Sequence, residues 1–135
     1  MSPSRSCAPP VARLTRTQGA LALAFVVSGI VHLVRPQVFE QIVPRRLPAP
    51  RTLVHVSGVA ELACAVGLTY APTRRLAGLA SAALLVAVFP ANIQMACSAH
   101  RAGSAGRRVI TLARLPLQLP LIQAALRAGR PDAAA

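Results

Sequence analysis

The chain has 135 residues, 54% of them hydrophobic and only 13% charged, with a net charge of +12. That length suits one domain, and a soluble domain carries about twice that share of charge. All basic residues are arginines, set in short clusters between long uncharged runs, and aromatics are 3%. This excludes a continuous basic stripe and a base-stacking platform, so nucleic acid is not a predicted partner. Arginines that punctuate apolar runs are the pattern of membrane loops, and the lipid bilayer is the partner expected first.

Residues 1–16 hold Ser, Pro and three arginines and read as a disordered basic tail. Thr17 to Val34 is uncharged, fenced by Arg16 and Arg35. It is long for a signal-peptide core and no A-x-A site follows, which favours an uncleaved first membrane helix over a leader. Arg35 to Pro50 is the first loop. Its four prolines forbid one regular helix. Val38, Phe39, Ile42 and Val43 keep helical spacing, which predicts a short interfacial helix, apolar side down, with Arg45 and Arg46 at headgroup level.

Arg51 or Thr52 to Ala71 is the second span, about twenty residues with one carboxylate, Glu61, near its middle. Pro72 to Arg75 makes a tight second loop, so spans two and three run antiparallel. Leu76 to about Cys97 is the third span, with Pro90 inside it. Ser98 to Arg108 is the third loop, and Val109 to Leu126 the fourth span, containing Arg114, Pro116 and Pro120. The predicted fold is all-α, a four-helix transmembrane bundle crossing several times, with a membrane domain over 17–127 and a flexible tail over 128–135. Close contact is expected at small residues: Ser57, Gly58 and Ala65 on span two, Gly78, Ser81 and Ala82 on span three. Basic residues divide almost evenly between the two faces. The arginines before the first helix tilt the termini toward the cytoplasm, in the cell inner membrane.

Alternating spans let depth be read from sequence. From the face shared by loops one and three, at about 1.5 Å per residue, His32 lies about 4 Å deep, Asn92 and Arg114 about 8 Å, and Glu61 and Gln118 about 14 Å. The strong polar groups thus converge on one half of the bundle, and each shares a helix face with small or polar neighbours, such as Ser28 and Gly29 beside His32. A charge facing lipid at that depth costs about 2.5–3.5 kcal/mol. Glu61 therefore requires a partner or a proton, and Arg114 or His32 can supply it. His32, Glu61, Asn92, Arg114 and Gln118 are the candidate ligand-binding set, for a small polar-headed or quinone-like molecule entering from the first loop. The alternative is that these groups only hold helices together.

No metal is predicted: His32, His55 and His100 are widely spaced, with no i,i+4 pair. Of the three cysteines, Cys7 lies in the tail with no lipobox before it. Cys64 and Cys97 read as small packing residues rather than a redox pair.

The segments SGIVHLVRPQVFEQIVPRRLP (28–48), SGVAELACAVGL (57–68), TRRLAGLA (73–80), VFPANIQMA (88–96) and RLPLQLPLI (114–122) together resemble the DoxX-like family of integral membrane proteins, over about residues 20–126. The resemblance implies a small four-helix membrane protein. It also implies an accessory subunit in quinone- or thiol-linked redox metabolism rather than a complete enzyme, with a redox protein as membrane partner and oligomerisation left open. The rival is a non-catalytic assembly or scaffold protein. By position His32, Glu61, Asn92, Arg114 and Gln118 match the family's recurring polar positions. The family offers no catalytic residue to transfer, and the cysteines match no redox motif in it.

Overall fold

The structure is a computed structural model, and it describes residues 14–44, 46–101, 105–128 and 130. Most of both expected tails, including Cys7, therefore lies outside the described residues. The described chain is all-helical, without strands. In order it runs α1 (Arg16–Val34), α2 (Gln37–Glu40), α3 (Pro50–Thr69), a 3-10 turn (Ala71–Thr73), α4 (Arg74–Arg101) and α5 (Ala105–Ala128). Three stretches, Arg16–Val34, Pro50–Thr69 and Ala71–Ser98, are long and apolar enough to cross a membrane. The arginines spaced along α5 dilute its apolar character, and it is not among them.

Local chemistry sets the helix ends. A capping box starts α1: Gln18 N–H donates to Thr15 Oγ1 at 3.2 Å, and Thr15 N–H donates to Gln18 Oε1 at 2.9 Å. Pro36 follows its end, where a proline is disfavoured inside a helix. α3 begins at Pro50 rather than the expected Arg51 or Thr52, since the first helical position suits a residue with no N–H. Ala49 before it takes the left-handed conformation, φ 48°.

Two boundaries differ most from expectation. α4 runs on to Arg101 and α5 begins at Ala105, so the small third loop predicted over Ser98 to Arg108 is helical at both ends, and residues 102–104 are outside the described set. Charge marks where an apolar run ends, but a helix outside oil tolerates Ser, His and Arg well. Pro90, Pro116 and Pro120 all lie inside helices.

The four long helices close a ring of contacts: α1 packs on α3 and α5, and α4 packs on α3 and α5. Leu21, Phe25, Cys64, Leu68, Ala82, Leu85 and Ala125 form the buried core. Exposed apolar side chains such as Leu23, Val27, Val59, Val66, Leu76 and Val86 cover the outside. An apolar exterior of that extent is at home in lipid. Small residues bring helices close. A Cβ on Gly29 would lie 2.8 Å from the Gly58 carbonyl oxygen, and one on Gly67 would lie 2.8 Å from Ala77 Cβ. Ser81 is fully buried in α4.

Arg74 is not the loop charge that counting predicts. It is 6% exposed, and its Nε donates to the Leu68 carbonyl at 3.0 Å. Thr73 Oγ1 donates to the Gly67 carbonyl at 2.8 Å. Together they cap the C-terminus of α3, where orphan carbonyls and the helix dipole favour a cation. Arg74→Met keeps the stem and removes the donor. It is expected to lower stability by about 1–2 kcal/mol, read from denaturant unfolding in detergent.

Candidate ligand cavity

The α1–α3 seam places the first polar pair. Gly29 and Gly58 let the two backbones touch, and a Cβ on Gly58 would meet His32 Cβ at 2.8 Å. His32 is thereby held against α3 one turn from Glu61, and its Nδ1 lies 3.4 Å from Glu61 Oε2. The same nitrogen is 2.8 Å from the Ser28 carbonyl oxygen and 3.4 Å from Ser28 Oγ. Glu61 is 6% exposed. Of the two partners expected for it, His32 is within reach. Arg114 lies on α5, but its side chain falls outside the described residues.

The second pair joins α4 to α5. Asn92 Nδ2 donates to Gln118 Oε1 at 2.9 Å, and Gln118 Nε2 donates to the Leu85 carbonyl oxygen. Gln118 is buried, with both ends of its amide bonded. Pro90 lies close by: it removes the N–H that would serve the Val86 carbonyl, and its ring crowds that oxygen. Gln118 bonds α4 at the adjacent carbonyl.

Both pairs line one cavity of about 530 Å³. Its polar lining is Ser28, His32, Ser57, Glu61, Asn92 and Gln118, and the rest is apolar, including Leu21, Phe25, Val54, Leu84, Val88 and Leu121. A small-molecule site has this make-up, largely apolar with a few polar groups. Four of the five candidate residues therefore meet around one space, contributed by all four long helices.

The first loop is built differently from expectation. Its helix is a single turn, as short as expected, but the apolar side chains of Phe39, Ile42 and Val43 line the cavity, while Val38 is exposed. Phe39 stacks on His32, ring centroids 3.9 Å apart and 13° from parallel. Glu40 Oε1 lies 3.7 Å from Arg51 Nε at the surface, a pair worth well under about 1 kcal/mol. Arg46 is exposed, and Arg45 is outside the described residues. Pro36 interrupts the helical register between His32 and Phe39, so spacing alone did not reveal the stack.

His55 is half-buried and does not line the cavity, and the side chain of His100 is outside the described set. Among the described residues no three His, Cys, Asp or Glu side chains gather. Cys64 packs in the core as expected, whereas Cys97 is exposed on α4.

An all-helical chain with three helices able to cross a membrane, and polar side chains turned inward on a shared cavity, falls in the class of membrane proteins. This chain belongs to the family described as Domain of unknown function (DUF8561), whose model matches residues 21–129. That match takes in every candidate site residue. No curated protein and no solved structure matches the chain.

Proposed function

We propose that this chain is a DoxX-like, multi-pass four-helix transmembrane bundle of the cell inner membrane. In this reading it is an accessory subunit in quinone- or thiol-linked redox metabolism that holds a small lipophilic molecule near Glu61. The observation that carries the ligand reading is the 530 Å³ cavity, into which His32, Glu61, Asn92 and Gln118 all face from separate helices. Interhelical hydrogen bonds in membranes average only about 0.6 kcal/mol, a weak return for burying a carboxyl group as mere glue. The closed ring of contacts among α1, α3, α4 and α5 supports the bundle. The redox assignment rests on the family resemblance of residues 20–126.

The test is mass spectrometry of what leaves the membrane with the protein in gentle detergent, for the natural chain and Glu61→Gln. The natural chain is expected to carry a lipophilic small molecule and a redox protein. Glu61→Gln keeps the shape and should lower ligand occupancy about tenfold while the bundle still assembles. Loss of assembly with unchanged occupancy would leave Glu61 a structural role only. Stoichiometric recovery of one membrane partner with no small molecule would favour an assembly or scaffold protein.

A further inference from the structure

A second concave feature lies on the outside of the molecule, between α3 and α4. It is an open groove of about 800 Å³ and shares no lining residue with the cavity. Its floor is made of short residues, Ala63 and Gly67 on α3 and Ala77 and Ala80 on α4. The two helices touch there, since a Cβ on Gly67 would lie 2.8 Å from Ala77 Cβ. Val59, Val66 and Leu76 form its walls, all exposed, and Tyr70 stands at one end. We propose that this groove is a lipid site. It seats one acyl chain of an anionic phospholipid, whose phosphate head lies beside Tyr70 at that end of the bundle. The site rests on the membrane placement of the helices and is independent of what the cavity holds.

Length, width and charge select this occupant. Along α3 the groove runs from Val59 to Tyr70, about 16 Å at about 1.5 Å per residue. One leaflet supplies about 15 Å of hydrocarbon, half of a core of about 30 Å, so a chain entering at Tyr70 fills the groove from end to end. A tyrosine at the mouth suits the level where head and chain meet. The floor is a cusp between two touching helices. A third helix, about 10–12 Å across, would rest on the walls and leave the floor empty, whereas a methylene chain reaches it and gains the dispersion contacts. Arg16, Arg75, Arg127 and Arg130 are exposed at the Tyr70 end of the bundle. That end has no carboxylate among the described residues: Glu40 lies on α2 at the opposite end, and Glu61 is buried in the cavity wall. A second copy brought to this face would set guanidinium groups against their like, whereas an anionic head is attracted.

The chain supplies its own reporter. Tyr70 is its one tyrosine and it has no tryptophan, so its ultraviolet emission comes from the groove mouth. The full chain is placed in phosphatidylcholine nanodiscs, and phosphatidylglycerol or phosphatidylcholine brominated near the ester is titrated in as quencher. The phosphatidylglycerol should reach half-quenching at about a fivefold lower mole fraction, the ratio that the attraction of about one arginine supplies. Filling the floor with Ala63→Leu and Ala80→Leu together should remove most of that preference. Both alanines are exposed, so the larger side chains fit without displacing a helix. Ala20→Leu, exposed on α1 and away from the groove, should leave the preference as it is. Equal quenching by the two lipids in the natural chain overturns the proposal, and that reading needs no variant to fold. A preference that survives the filled groove also overturns it, since the arginines alone then account for the effect. Tyr70 shielded from both lipids, in discs that hold two copies, would put a second chain in the groove and overturn it as well.

Discussion

Replacing Gly58 with valine should separate α1 from α3. The Cβ alone would sit 2.8 Å from His32 Cβ and 3.0 Å from the Gly29 carbonyl oxygen. These two nearest obstacles are a Cβ and a backbone oxygen, neither the far end of a flexible side chain, so the helices must move apart. Overpacking of a close seam costs about 1–3 kcal/mol for small insertions, and a branched side chain between two backbones is expected at or above about 3 kcal/mol. Unfolding in mixed micelles gives the number. Gly19→Val is the control, because nothing lies within 4 Å of its added Cβ, and it should fall within about 1 kcal/mol of the natural chain. Equal stability of the two variants would show that the seam is not where α1 and α3 are held.

The second large effect is expected at Gln118. Leucine there has similar bulk but strands Asn92 Nδ2 and removes the donor from the Leu85 carbonyl. Losing both contacts should cost about 1–3 kcal/mol, toward the lower end if polar groups find other partners within the membrane. Adding Asn92→Leu to Gln118→Leu should recover part of the loss, since removing both members of a buried pair costs less than orphaning one. A double variant less stable than the single one by a full additive amount would mean that the two amides do not act as a pair.

The sequence made the inward faces legible because membranes punish polar groups so heavily. Depth counting put His32, Asn92, Glu61 and Gln118 in one half of the molecule, and four long runs with at most one charge each marked the long helices. It also marked Gly58 as a place of close approach. What it did not carry was pairing. Arg114 and Gln118 are four residues apart and looked aligned, yet Gln118 bonds across to Asn92 and to a backbone carbonyl. Partner choice depends on helix rotation, which a single run of residues does not encode. Arg74 was invisible as a cap because an arginine after a span looks the same whether it faces water or folds back on the preceding helix. Phe39 was assigned to the wrong environment for a related reason: after Pro36 the chain reverses, and period alone does not say toward what.

The long helices differ in length. α1 and α3 have 19 and 20 residues, whereas α4 and α5 have 28 and 24. At about 1.5 Å per residue, α4 outruns α3 by about 12 Å. The two are joined by only the four residues Tyr70–Thr73, so they start level there and the surplus stands at the opposite end, on the side of Phe39, Ile42, Val43, Pro44 and Leu47, which line the cavity. With the bundle spanning a bilayer as proposed, one leaflet meets a terrace: a low edge along α1 and α3, and a parapet made by the last turns of α4. Lipid tails must shorten or the helices lean to accommodate it. A molecule drifting in that leaflet would run up against the parapet just beside the cavity that Phe39 and Ile42 line.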